Sequence, residues 1–160
     1  MTAENRTTGG DAPRGLYFEE FEVGTAMESP GRTVTESDIV NFAGISGDFN
    51  QLHTDAEFAK ETPFGARIAH GLLGLAMASG LAARLGFIEG TAEAFRSLTW
   101  KFRGAIFIGD TIRVEAKVAE KKPVRGYSGG LITFDISVLN QEGKAVQKGE
   151  WIVLVKGKAS

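Results

Sequence analysis

Asp48, Asn50 and His53 fall within six positions of one another in the run Ser46-Gly47-Asp48-Phe49-Asn50-Gln51-Leu52-His53-Thr54-Asp55. The chain has only two histidines, and the second, His70, opens an apolar run downstream. A carboxylate and an imidazole held together can position and polarise one water. That is the minimum equipment for acid–base chemistry near neutral pH. Taken singly, each residue has a plainer use: Asp48 and Asn50 as turn formers that bond nearby backbone, His53 as a core histidine. Together they say more, because they precede a glycine-opened apolar helix whose first backbone N–H groups need partners. A helix start of this kind favours a developing negative charge. The combination points to acid–base chemistry at a carbon activated by a carbonyl.

Other chemistries are poorly supplied. Gly44-Ile45-Ser46-Gly47-Asp48 lacks the spacing of a Gly-x-Ser-x-Gly elbow. A Ser46–His53–Asp48 triad would draw all its members from one short loop. With two histidines, no cysteine and no His-Glu-x-x-His, zinc lacks ligands. No phosphate loop or dinucleotide fingerprint occurs, and Gly126-Tyr127-Ser128-Gly129-Gly130 reads as a turn between strands. The absence of cysteine excludes disulfides and a thiol nucleophile, and fits a reducing cytoplasm. A net charge of -2 without basic runs leaves no nucleic-acid footprint. Lys121-Lys122, before Pro123, reads as a solvated turn.

The elements that must position these residues follow from pattern. A length of 160 residues with 42% hydrophobic composition suits one soluble domain. Residues 1–14 are expected to form a disordered polar tail without a signal peptide's apolar core, and 15–160 the domain. Leu16 to Val23 reads as an edge strand or an ordered lead-in, and Thr33-Val34-Thr35 as extended. Thr35 is predicted to cap a helix with Asp38 completing a capping box, and that helix to end near Gly47. Asp48 then falls on a loop. Thr54 or Asp55 caps a short helix through Lys60. Ile68 to Ala83 is hydrophobic all round, which predicts a helix buried on every side. It is shorter than the roughly 20 residues a membrane span needs.

The second half alternates with period two. Trp100 and Phe102, then Ile112, Val114, Ala116 and Val118, then Ile132, Phe134, Ile136 and Val138, mark buried faces of strands. Asn140 to Lys144 is a hairpin turn. Trp151 to Val155 is nearly all apolar, as in a strand buried on both faces. One long helix followed by several antiparallel strands predicts an α+β fold with the sheet curved around the helix.

Two motifs carry a family resemblance. Gly47-Asp48-Phe49-Asn50-Gln51-Leu52-His53-Thr54-Asp55 resembles the Gly-Asp-x-Asn-Pro-Leu-His-x-Asp of MaoC-like dehydratases, the (R)-specific enoyl-CoA hydratases. Phe64-Gly65-x-x-Ile68-Ala69-His70-Gly71 is similar to their second motif, and Gly109-Asp110-Thr111 to their strand-opening Gly-Asp-Thr. The resemblance covers most of residues 16–155 and is weakest after Glu120. It implies a hotdog fold, at least a homodimer, and no cofactor or metal. It implies reversible syn addition of water to a trans-2-enoyl thioester of coenzyme A or a carrier protein, giving the (3R)-hydroxyacyl product. Neither nucleic acid nor membrane is an expected partner, and a cytoplasmic location is expected.

Carried over residue by residue, Asp48 and His53 form the catalytic pair, with acid and base left unassigned. Asn50, Ser46 and His70 support it, Asn50 by hydrogen bonding to the pair and His70 by closing the helix start. The backbone N–H of Gly71 faces the thioester oxygen. Gln51 stands where the family usually has proline, and so does Ala105. Lys101, Arg103 or Arg125, or residues of a partner subunit, are expected to meet the coenzyme's phosphates. A hotdog thioesterase and a non-catalytic acyl-binding subunit remain as alternatives.

Overall fold

The computed structural model describes residues 14–158. Apart from Arg14, the expected tail lies outside the described residues, as do the last two positions. Leu16 to Val23 forms no strand. It is an ordered lead-in with a 3-10 turn at Phe18–Glu20, and Phe18 and Phe21 are buried. Two short strands follow, β1 (Ala26–Glu28) and β2 (Arg32–Thr33). Three helices come next, α1 (Glu36–Ser46), α2 (Gln51–Thr54) and α3 (Ala56–Lys60). The central helix α4 (Gly71–Arg84) leads into four long strands: β3 (Ala92–Phe102), β4 (Thr111–Pro123), β5 (Gly129–Leu139) and β6 (Ala145–Lys156).

The strands are antiparallel and run in the order β1-β4-β5-β6-β3, with β2 also on β4. Their inner face is read directly from the alternation. Ile112, Val114, Ala116 and Val118 on β4 are buried, as are Ile132, Phe134, Ile136 and Val138 on β5. They close against Leu73, Met77, Ala78, Leu81 and Ala82 of α4 in one core cluster. Phe134 packs edge-on against both Phe21 and Phe87. The turn expected at Asn140 to Lys144 is present. Asn140 Oδ1 accepts the N–H groups of Glu142 and Lys144, each at 3.0 Å, and Gly143 takes φ 76°.

Three expectations are corrected. First, α4 is not buried on every side. Leu73, Gly74, Met77, Ala78, Leu81 and Ala82 face inward, while Leu72, Ala76, Ser79, Gly80 and Ala83 are exposed. A single sheet covers only one side of a helix, whatever the hydropathy of the other. Second, β6 alternates instead of being buried on both faces: Trp151, Val153 and Val155 are buried, Ile152 and Leu154 half-buried. Third, β3 has no fully buried face. It lies at the sheet edge with two register shifts, Trp100 is half-buried and Phe102 is 56% exposed. Among the described residues, no helix is long and apolar enough to cross a membrane.

The capping box on α1 forms as predicted. Thr35 Oγ1 accepts the Asp38 N–H at 3.3 Å, and Asp38 Oδ2 accepts the Thr35 N–H at 2.8 Å. Burial pushes the Asp38 carboxyl up, but the Thr35 N–H and hydroxyl and the Arg32 guanidinium outweigh it and hold it below the ordinary aspartate range. A depressed carboxyl contributes stability above its unfolded value and loses it as pH falls through the folded one. Asp38→Ala is therefore expected to cost about 1 kcal/mol at pH 7, and the gap to wild type to narrow below about pH 4. Urea titrations at both pH values check this.

Candidate active site

The segment after α1 is built by a chain of local caps. Gly47 ends α1 in the left-handed conformation, φ 75°, and its N–H returns to the Ala43 carbonyl. Ser46 Oγ donates to the Phe42 carbonyl at 2.6 Å and accepts the Asp48 N–H at 3.1 Å. The Asp48 carboxylate accepts the Asn50 N–H through Oδ1 at 3.1 Å. Asn50 Oδ1 accepts the Leu52 N–H at 3.0 Å and so caps α2. This single helical turn, absent from the sequence reading, carries His53. Asp55, rather than Thr54, caps α3.

His53 Nδ1 lies 2.8 Å from the Ile68 carbonyl, and His70 Nε2 lies 2.9 Å from the Asp48 carbonyl. A carbonyl oxygen only accepts, so each ring nitrogen donates there. In neutral His53 this leaves Nε2 with its lone pair free. The two imidazoles stack with centroids 3.9 Å apart. Asp48, His53 and His70, separated in sequence, thus bring side-chain donor atoms within 4.8 Å of one another.

Two expected roles change in kind. Asn50 uses its side-chain oxygen to cap α2, and its contact with Asp48 is made by the backbone N–H. An Asn followed by a helical turn satisfies its nearest orphan N–H first. His70 sits at the N-cap of α4 but makes no side-chain cap. Its ring is 2% exposed and reaches sideways to the Asp48 loop.

Beside the cluster lies a chamber of about 700 Å³, lined mostly by apolar atoms and including His53, Gly71, Leu72, Phe102, Arg103 and Gln147. Asp48 is exposed and stands outside this lining, next to His53. Gly71 opens α4, and its N–H meets no acceptor among the described residues. A Cβ on Gly71 would lie 2.8 Å from the Phe102 ring. The residue that sequence reasoning missed is Gln147, only 2% exposed. It accepts the Trp100 indole N–H at 3.0 Å and donates to the Gly71 carbonyl at 2.9 Å. Its signal was register: Gln147 shares the inward parity of Trp151, Val153 and Val155.

A cation would need the Asp48 carboxylate together with the free nitrogens, Nε2 of His53 and Nδ1 of His70. Their donor atoms lie within 4.8 Å of one another, and the two rings stack with an interplanar angle of 29°. Lys101 and Arg103 line a second cleft of about 290 Å³ with Lys148, and Arg103 borders both spaces. Arg125 lies in the connection between β4 and β5, at the other end of the sheet from Phe102. His70→Ala should cost about 2–3 kcal/mol of stability, by emptying the space of a buried ring and releasing the Asp48 carbonyl. His70→Gln, which can still offer an N–H to the Asp48 carbonyl, should cost clearly less. Urea denaturation of the two variants compares them.

Residues 20–136 match the family described as the MaoC like domain. The chain is 43% identical over 113 residues to a 3-hydroxybutyryl-CoA dehydratase of Methylorubrum extorquens, covering 70% of this chain and 69% of that one. It is 34% identical over 143 residues to an (R)-specific enoyl-CoA hydratase of Rhodospirillum rubrum, covering 89% and 93%. The unliganded R-hydratase from Pseudomonas aeruginosa superposes with a TM-score of 0.77 at 32% identity, over 90% of this chain and 88% of that one. The sheet-around-helix architecture is the hotdog fold. By motif, fold and sequence match together, the chain belongs to the MaoC-like domain family.

Proposed function

We propose that this protein is an (R)-specific enoyl-thioester hydratase/dehydratase that adds water reversibly and syn across a trans-2-enoyl-CoA or acyl-carrier substrate. The observation that carries the reading is the Asp48–His53 pair beside an apolar chamber into which the glycine-opened start of α4 faces. In this reading the acyl chain enters the chamber, and one water sits between the Asp48 carboxylate and His53 Nε2. Its oxygen bonds to C3 as the pair takes one of its protons. The C2=C3 π electrons move toward the thioester oxygen, where the Gly71 N–H and the helix start meet the developing charge. The proton held by the pair then passes to C2, giving the (3R)-hydroxyacyl thioester. Because both additions come from one side of the substrate, a single catalytic pair suffices. Ser46 and Asn50 shape the loop, and His70 ties it to α4.

Residues 15–160 act as one domain in this scheme, in the cytoplasm, and assemble at least as a homodimer. The free edge of β3 supports the assembly. It presents Phe95, Leu98 and Phe102 at 51%, 42% and 56% exposure, which an isolated edge strand does not favour. Lys101 and Lys148 support a phosphate contact for the thioester's carrier. They face each other across β3 and β6, and among the described residues neither has a carboxylate within 4.0 Å. Like charges placed opposite one another are unfavourable; Asp135 and Glu150 line the same cleft, and a phosphate would add to the charge they offer.

The first test follows enoyl-CoA absorbance on crotonyl-CoA and longer or branched trans-2-enoyl-CoAs, with chiral analysis of the product. Wild type should give the (3R) alcohol, and Asp48→Asn and His53→Ala should each lower kcat by about 10²–10⁴-fold. Normal turnover in both variants would sink the reading, and free thiol released from acyl-CoA would move it to a thioesterase. Light scattering should give at least a dimer for wild type. The double variant Phe95→Lys/Leu98→Lys should shift it toward monomer.

A further inference from the structure

Gln147 is the one buried carboxamide in the chamber wall, and both of its ends are engaged. Its oxygen takes the Trp100 indole N–H from β3, and its nitrogen donates to the Gly71 carbonyl in the first turn of α4. A buried polar group on the inner face of a strand costs stability unless fully partnered. A leucine there would need no partner. The helix is also cut to admit the carboxamide. Gly74 is buried, and a Cβ on it would fall well inside contact with the Gln147 amide. A glycine within a helix gives up about 1 kcal/mol relative to alanine. Two residues 73 positions apart, each unfavourable alone, are thus mutually explained.

What they produce is a second anchor on the start of α4. From one side His70 fastens the helix start to the Asp48 loop. From the other, Gln147 fastens the next peptide, Gly71–Leu72, to the sheet through the Gly71 carbonyl. The Gly71 N–H, free of any acceptor among the described residues, lies between the two. Donors aimed at developing charge act only when held to a fraction of an ångström.

We propose that Gln147 is a positioning residue that holds the Gly71–Leu72 peptide through the Gly71 carbonyl, and so restrains Gly71 and the direction of the N–H on the other side of its Cα, with Gly74 as the space that permits it. The proposal rests on the hydratase reading for the identity of the charge at Gly71. The charge develops only in the transition state, so the loss on removing Gln147 belongs in kcat rather than KM.

The test is Gln147→Leu, of similar volume but without the two hydrogen bonds. It is assayed on whichever enoyl-CoA the wild type hydrates, with the Gly71 amide followed by ¹⁵N–¹H correlation. The expected result is a folded protein with a kcat lower by about 10- to 100-fold, KM within about threefold of wild type, and a displaced Gly71 amide signal. Wild-type kcat, a change confined to KM, or an unmoved Gly71 signal would overturn the proposal. Should Gln147→Leu fail to fold, Gly74→Ala decides on the same readouts, since it keeps Gln147 and displaces its carboxamide while favouring the helix. Should wild type hydrate no enoyl thioester, the functional reading falls, and the Gly71 signal alone decides whether Gln147 sets that peptide.

Discussion

Two imidazoles, each spending one nitrogen on a backbone carbonyl, hold the rest of this site together. His70 donates to the Asp48 carbonyl, 22 residues back, and His53 donates to the Ile68 carbonyl, 15 residues ahead. The two bonds cross-tie the loop after α1, the single turn of α2 and the approach to α4. None of these segments has the length to be stable alone: a four-residue helix is far below what isolated helices need. Stacking of the rings at 3.9 Å makes the cross-tie one unit. It also settles the face that His53 offers, because with Nδ1 donating inward Nε2 is left to work outward.

The sheet supplies what the loop lacks. β4 and β5 are central strands whose inward rows are buried almost completely, and α4 lies on them through Leu73, Met77, Ala78, Leu81 and Ala82. That burial fixes the helix, and the helix fixes the position of Gly71 and His70 at its start. The chamber forms where this rigid body meets the exposed end of β3. The candidate site therefore sits at the boundary between the best packed and the least covered parts of the molecule.

Much of this was legible in the residues. The strands of the second half follow from strict alternation, and the α1 start from the Thr35/Asp38 pairing. The chemical segment stood out because Asp48, Asn50 and His53 lie close together. What could not be read were effects of partners distant in sequence. α2 is too short to leave a periodic signal, and it exists because Asn50 caps it and His53 is held at Ile68. β3 reads as a strand with one buried face because Trp100 and Phe102 alternate with charges, yet its place at the sheet edge is set by topology. Gln147 breaks an apolar parity by one residue, and that break has meaning only once Trp100, Gly71 and Gly74 are seen around it.

The glycines of α4 show where function and stability diverge. Gly71, Gly74 and Gly80 all lie within a helix of 14 residues, and each lowers its propensity. Gly71 lies against Phe102 at the chamber wall, and Gly74 makes room for Gln147. Both occur in the first turns, beside the site, where a side chain would displace a neighbour that shapes it. Gly80 has nothing within 4 Å of a Cβ, and nothing among the described residues explains it. A helix chosen for stability alone would carry alanine at all three. The buried apolar face of α4 is strong enough to hold the helix without that help, which leaves its first two turns free to be shaped by the site they form.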